Sequence, residues 1–299
     1  METLYGLLIA PFAEFAFMQR ALAGSLMLSL GACPVGVFLM LRRMSLSGDA
    51  MAHAILPGAA AGFLFYGLEI LPMTIGGLIA GIIVALGAGA VSRFTIQRED
   101  ASMAAFYLIS LAIGVLMVSI RGSSVDLMHV LFGTVLALNN EALTLIGGIV
   151  LVTLVSLAIF WRALVAECLD PLFLRSVSRL GSPVHFIFLG LVVLNLVGGF
   201  QALGTLLSVG LMMLPAAAAR FWTMRVEPMC ALAVLIGFAS CIAGLLLSYH
   251  VSLPSGPAII LSAGVVYFAS IMFGTRGILR ARIIHPQNRL IPTEVTLPC

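Results

Sequence analysis

The stretch LRRMSLSGDAMAHAILPG, residues 41–58, decides how the rest of the chain is read. Its arginine pair, Arg42 and Arg43, closes a long apolar segment, 15–41, and a second apolar segment follows at 50–66. Asp49 and His53 are four apart, so on a helix they share one face. An ionisable side chain inside an apolar span is costly and marks a functional candidate. A carboxylate oxygen beside an imidazole nitrogen suits zinc, manganese or iron(II), and suits calcium or magnesium poorly. One such pair supplies two ligands; a two-fold dimer brings together two Asp and two His, enough for a four-coordinate site. The plainer reading makes Asp49 an interfacial helix cap shortly after Arg43, and His53 a core residue bonded to a carbonyl. On the residues alone both readings stand open.

The composition around this stretch sets the class. Apolar residues make up 62% of the 299, and the 15 basic and 12 acidic residues only 9%. A soluble domain carries about 25% charged residues, so this is a polytopic membrane protein. All 15 basic residues are arginine. Without lysine there is no Walker A site and no Schiff base to retinal or pyridoxal phosphate. ATP-driven work therefore requires another subunit to hold the ATP. The five cysteines, Cys33, Cys168, Cys230, Cys241 and Cys299, show no C-x-x-C spacing and read as small buried hydrophobes. The 15 methionines show no M-x-x-M clustering. The N-terminal stretch lacks a basic region, and no cleavable signal peptide is expected.

Further apolar segments fall at 73–92, 101–120, 142–161, 183–200, 201–219, 229–249 and 256–275, giving nine, with eight or ten possible. The pair 183–219 suggests a hairpin turning at Gly198 and Gly199, or something less regular. If nine helices alternate, 13 of 15 arginines fall on one side, leaving Arg20 and Arg121 on the other. The positive-inside rule then puts the N-terminus outside and residues 276–299 in the cytoplasm as a short tail. The expected fold is an all-α membrane bundle forming one domain, 1–299. Residues 123–140, with Asp126 and His129, read as a short outer segment. On the arginine-rich side, Asp170 suits a helix N-cap and Pro171 its first position, and Gly181 with Pro183 suits its end. Such a helix is about 15 Å long, too short to cross.

Enzyme readings have little to stand on. There is no H-E-x-x-H. The SGD at 47–49 resembles half of an intramembrane aspartyl protease motif, but the other acids cluster at segment ends. His129 and His250 read as structural or interfacial, and His185 and His285 as solvated or interfacial. The alternative class is a stand-alone intramembrane enzyme or a secondary metal carrier. A capped cytoplasmic helix favours a protein with a docking partner over both.

Six blocks together carry a resemblance: FMQRAL at 17–22, GVFLMLRRMSLSGDAMAHAILPG at 36–58, VDLMHVLFGTVLAL at 125–138, LDPLFLRSVSRLG at 169–181, GTLLSVGLMMLPAAAAR at 204–220 and LPSGPAIIL at 253–261. With them the chain resembles the membrane permease subunits of bacterial ABC importers for zinc, manganese and iron, a family related in fold to vitamin B12 and siderophore importers. The resemblance implies a permease in the bacterial inner membrane, working as a homodimer or pseudo-dimer, the homodimer being expected here, with a cytoplasmic ABC ATPase and a periplasmic or lipid-anchored metal-binding protein. It implies no nucleic-acid partner, no ATPase site in this chain and no permanently bound cofactor. The family's Asp-x-x-x-His falls on Asp49 and His53 as metal-pathway ligands. Its coupling segment falls on Asp170, Pro171, Phe173, Arg175 and Gly181. Zinc is the first expectation for the metal, with manganese or iron as alternatives.

Overall fold

The computed structural model describes residues 10–67, 69–120, 138–169 and 181–278. The described residues form helices and no strands: α1 (Ala10–Glu14), α2 (Ala16–Leu41), α3 (Ser45–Ala54), α4 (Leu56–Tyr66), α5 (Ile70–Phe94), α6 (Glu99–Ile120), α7 (Asn140–Leu169), α8 (Gly181–Leu203), α9 (Thr205–Arg220), α10 (Val226–Val251) and α11 (Ser255–Phe273). Seven of these are long and apolar enough to cross a bilayer. The 16-residue α9 and the pair α3–α4 complete the nine expected segments. At 10 and 11 residues, α3 and α4 are each about 15 Å long, so only the two together match a hydrocarbon core of about 30 Å. The expected outer segment with Asp126 and His129, residues 170–180, His285 and the tail beyond 278 lie outside the described residues.

The bundle has a centre and a rim. The apolar spans of α2 and α8 are 72% buried, whereas those of α6 and α7 are 22% buried and turn rows of Leu, Ile and Val outward. The central α2 packs on α7, α8, α9 and α10. Small residues permit this closeness, since helices in lipid associate by fitting backbones together. At Gly36 of α2 an added Cβ would run into the backbone carbonyl of Met212 in α9. Gly58 of α4 and Gly76 of α5 meet backbone to backbone in the same way.

The breaks have local causes. After α2 the Arg43 N–H bonds the Met40 carbonyl and the Met44 N–H the Leu39 carbonyl, both at 3.0 Å. This is the Schellman pattern, with Arg43 at the left-handed position (φ 60°) usually held by glycine. Between α3 and α4, Pro57 cannot donate a helix hydrogen bond and its ring collides with the preceding turn. The turn expected at Gly198 and Gly199 lies instead at Gly204 (φ 84°), and α8 runs unbroken to Leu203. Gly198 and Gly199 serve packing, against Ile149 and Ser208. Arg276 N–H bonds the Phe221 carbonyl at 3.1 Å, which gathers Arg220, Arg225 and Arg276 at one end of the bundle.

Candidate metal pathway

The α3 helix begins at Ser45, with Met44 as its N-cap, so Asp49 lies in its interior and caps nothing. Leu46, Asp49 and His53 follow at helical spacing on one open face: Leu46 is 82% exposed, and the Asp49 and His53 side chains are 66% and 31% exposed. Asp49 Oδ1 stands 3.9 Å from His53 Nε2. Two bonds of about 2.1 Å at a tetrahedral angle need donors roughly 3.5 Å apart, so a small side-chain rotation brings both onto one ion. Among the described residues the buried His53 Nδ1 atom has no hydrogen-bond partner, and neither has the Ser47 hydroxyl six residues earlier. A core histidine bonded to a carbonyl is therefore not what the structure holds. Among the described residues no group of three or more His, Cys, Asp and Glu side chains converges on a metal-sized site, and within them one chain offers this pair and no fuller ligand set.

One face of α6 supports the pair from behind. Tyr107 lies with its ring 6.4 Å from the His53 ring, the planes 34° apart. Ser110 donates to the Ala54 carbonyl at 2.9 Å, occupying an acceptor at the α3–α4 break. At Gly114 an added Cβ would sit 3.1 Å from the Pro57 nitrogen, so the bare glycine admits the bend. Residues 107, 110 and 114 share one helix face. On another side α3 meets α9, where a Cβ on Gly48 would lie 2.6 Å from the Met213 methyl. Sequence reasoning missed the α6 face, although its signal was present: a serine and a glycine at helical spacing from a tyrosine in an apolar run.

The other expected residues separate from this site. Gly181 is the first residue of α8; Asp170, Pro171, Phe173 and Arg175 lie outside the described residues. His250 closes α10 with its ring edge-on to Tyr249. His185 departs from expectation: it is buried beside Glu167 rather than solvated. The reason is the length of α7, which continues past the expected end at 161 to Leu169 and carries Glu167 into protein contact.

Known proteins resemble the chain over most of its length. The family model described as the ABC 3 transport family matches residues 14–274. The chain is 32% identical to the manganese transport system membrane protein MntC of Listeria monocytogenes, covering 90% of this chain and 95% of that one. It is 27% identical to the chelated iron transport system membrane protein YfeD of Yersinia pestis, covering 100% and 99%. The solved structure of PsaBC from Streptococcus pneumoniae in complex with Fab superposes with a TM-score of 0.81 at 28% identity, over 95% of this chain and 99% of that one. With its apolar helices crossing the plasma membrane many times, and a family match running from before α2 to the end of α11, the chain belongs to the ABC 3 transport family.

Proposed function

We propose that the chain is the permease subunit of an ATP-driven importer of a divalent transition metal, and that Asp49 and His53 line the metal's path. The observation that carries this reading is a carboxylate and an imidazole on one open face in the interior of an apolar helix, with a buried imidazole nitrogen left unpaired. A homodimer would place two such faces together and complete four ligands. Family membership supports a separate ATPase subunit, since this chain has no lysine for a Walker A site. It also supports an external metal-binding protein as donor, and leaves the stand-alone enzyme without support. We assign docking of the ATPase to 170–181, where Phe173→Asp should uncouple ATP hydrolysis from transport by placing a charge in an apolar contact.

The relatives described above are named for manganese and for chelated iron, which moves manganese ahead of the zinc expected at first. Oxygen and nitrogen donors suit all three ions. The test is uptake of manganese(II), iron(II) and zinc(II) by cells with and without the chain, alongside Asp49→Asn and His53→Ala, each normalised to folded permease. Strong loss of uptake at normal abundance supports the path. Wild-type normalised uptake in both variants removes Asp49 and His53 from it.

A further inference from the structure

A second ionisable cluster lies where three helix ends meet. Arg42, the C-cap of α2, forms an ion pair through Nη2 with Glu167 Oε1, two residues from the end of α7. His185, in the second turn of α8, places Nδ1 3.6 Å from the same oxygen. The Arg42 guanidinium also lies 4.6 Å over the centre of the Phe188 ring. These side chains are enclosed: Arg42 is 9% exposed, Glu167 4% and His185 7%. Yet among the described residues Arg42 Nη1 and Glu167 Oε2 are buried without hydrogen-bond partners.

A buried ion pair is weak as a source of stability, because desolvation offsets most of its attraction; its best-attested use is to fix a register or a switch. Incomplete pairing deepens the cost, since each buried orphan atom keeps its desolvation penalty. The placement suggests what that cost serves. Glu167 and His185 sit on the two helix ends that bracket residues 170–180, and Arg42 stands just before the α3 helix that carries Asp49 and His53. The intervening Arg43 is held in the left-handed region, so the turn has little freedom.

We infer that Arg42, Glu167 and His185 form an ionic joint that transmits displacement of the α7 and α8 ends to the metal-bearing α3. They are positioning residues: they touch no metal and act through the orientation of α3. The two orphan atoms are the donor and acceptor that a second arrangement of the same helix ends would engage. This inference rests on the importer reading above.

The test uses the permease purified with its ATPase, reconstituted in lipid vesicles together with the external metal-binding protein loaded with manganese(II). The readout is manganese taken up per ATP hydrolysed, which a merely structural role would not change once the protein is folded. Arg42→Gln and Glu167→Gln singly should reduce folded protein, because each strands a buried charge. The double variant R42Q/E167Q removes both charges and should recover abundance. Its uptake per ATP should nevertheless fall at least about fivefold, the low end of coupling between distant sites, while manganese binding to the detergent-solubilised permease stays at the wild-type level. A wild-type uptake ratio in the folded double variant overturns the inference. If that variant does not accumulate, His185→Phe, which keeps the ion pair and adds no charge, decides by the same ratio. Absence of manganese-stimulated hydrolysis in the wild-type complex would instead count against the importer reading, which keeps the two failures distinct.

Discussion

Arg42 and Asp49 are only seven residues apart, and the ionisable pairs they belong to are built in opposite ways. Asp49 and His53 lie on one helix, open on one side, with a donor separation of 3.9 Å and no third ligand among the described residues. Arg42 and Glu167 come from different helices and are sealed from solvent. An open pair can exchange an ion, because its desolvation is deferred until something binds. A sealed pair cannot exchange; it can only hold or release the elements that carry it. Removal of one charge should therefore act on transport in the first pair and on folding in the second.

The largest effect is expected where the sealed pair is broken on one side. Arg42→Gln alone leaves Glu167 charged and buried, a loss of about 3–5 kcal/mol for a buried pair. Folded permease in membranes, followed by fluorescence-detected chromatography, should drop severely; unchanged abundance would erase the contrast between the pairs. Next comes the open pair. Asp49→Asn and His53→Ala should leave abundance intact and cut normalised uptake by about tenfold or more, as removing a group that shapes a metal site does. The double variant should be scarcely worse than either single one, since the two act as one site; additive losses would mean they act separately.

A smaller effect tests what holds the open pair. Ser110→Ala leaves the Ala54 carbonyl at the α3–α4 break without its donor. Hydrogen bonds between membrane helices are worth about 0.6 kcal/mol on average. A slight fall in thermal midpoint is expected, with a larger relative fall in manganese affinity if α6 sets the position of His53. Unaltered affinity would confine Ser110 to structure. Of comparable size but opposite sign is Arg43→Gly in the turn between the two pairs. Relief of left-handed strain, roughly 1 kcal/mol, should raise the midpoint slightly, while the looser turn should lower uptake per ATP. A gain in both would show that stiffness there is not used.

The open pair was legible in the sequence because i, i+4 spacing is a local fact. The helix positions were legible for the same reason: the segment marked at 15–41 is Ala16–Leu41 and the one at 101–120 lies within Glu99–Ile120. The sealed pair was not, since nothing local relates Arg42 to Glu167. Trp161 and Arg162 marked a false end of α7, and His185 inherited a solvated environment from that error. The break at Gly204 was placed too early because a glycine used for packing and one used for positive φ look alike in a sequence. Asp49 was open to reading as a cap until the start of α3 at Ser45 put it inside the helix. Residues 170–180 lie outside the described residues, so the docking segment rests on resemblance.

The 16-residue α9 is about 24 Å long, less than the roughly 30 Å of hydrocarbon it must cross. It lies against α2, α8, α10 and α11, whereas the least buried apolar spans are those of α6 and α7, of 22 and 30 residues. Matching to membrane thickness is thus handled by long helices, one of which, α6, also carries the Tyr107 and Ser110 face beside α3. Acyl-chain remodelling with growth temperature changes the tilt these rim helices must adopt; the short inner α9 is shielded from that adjustment, whereas through α6 the geometry beside Asp49 and His53 is tied to the lipid composition of the cell.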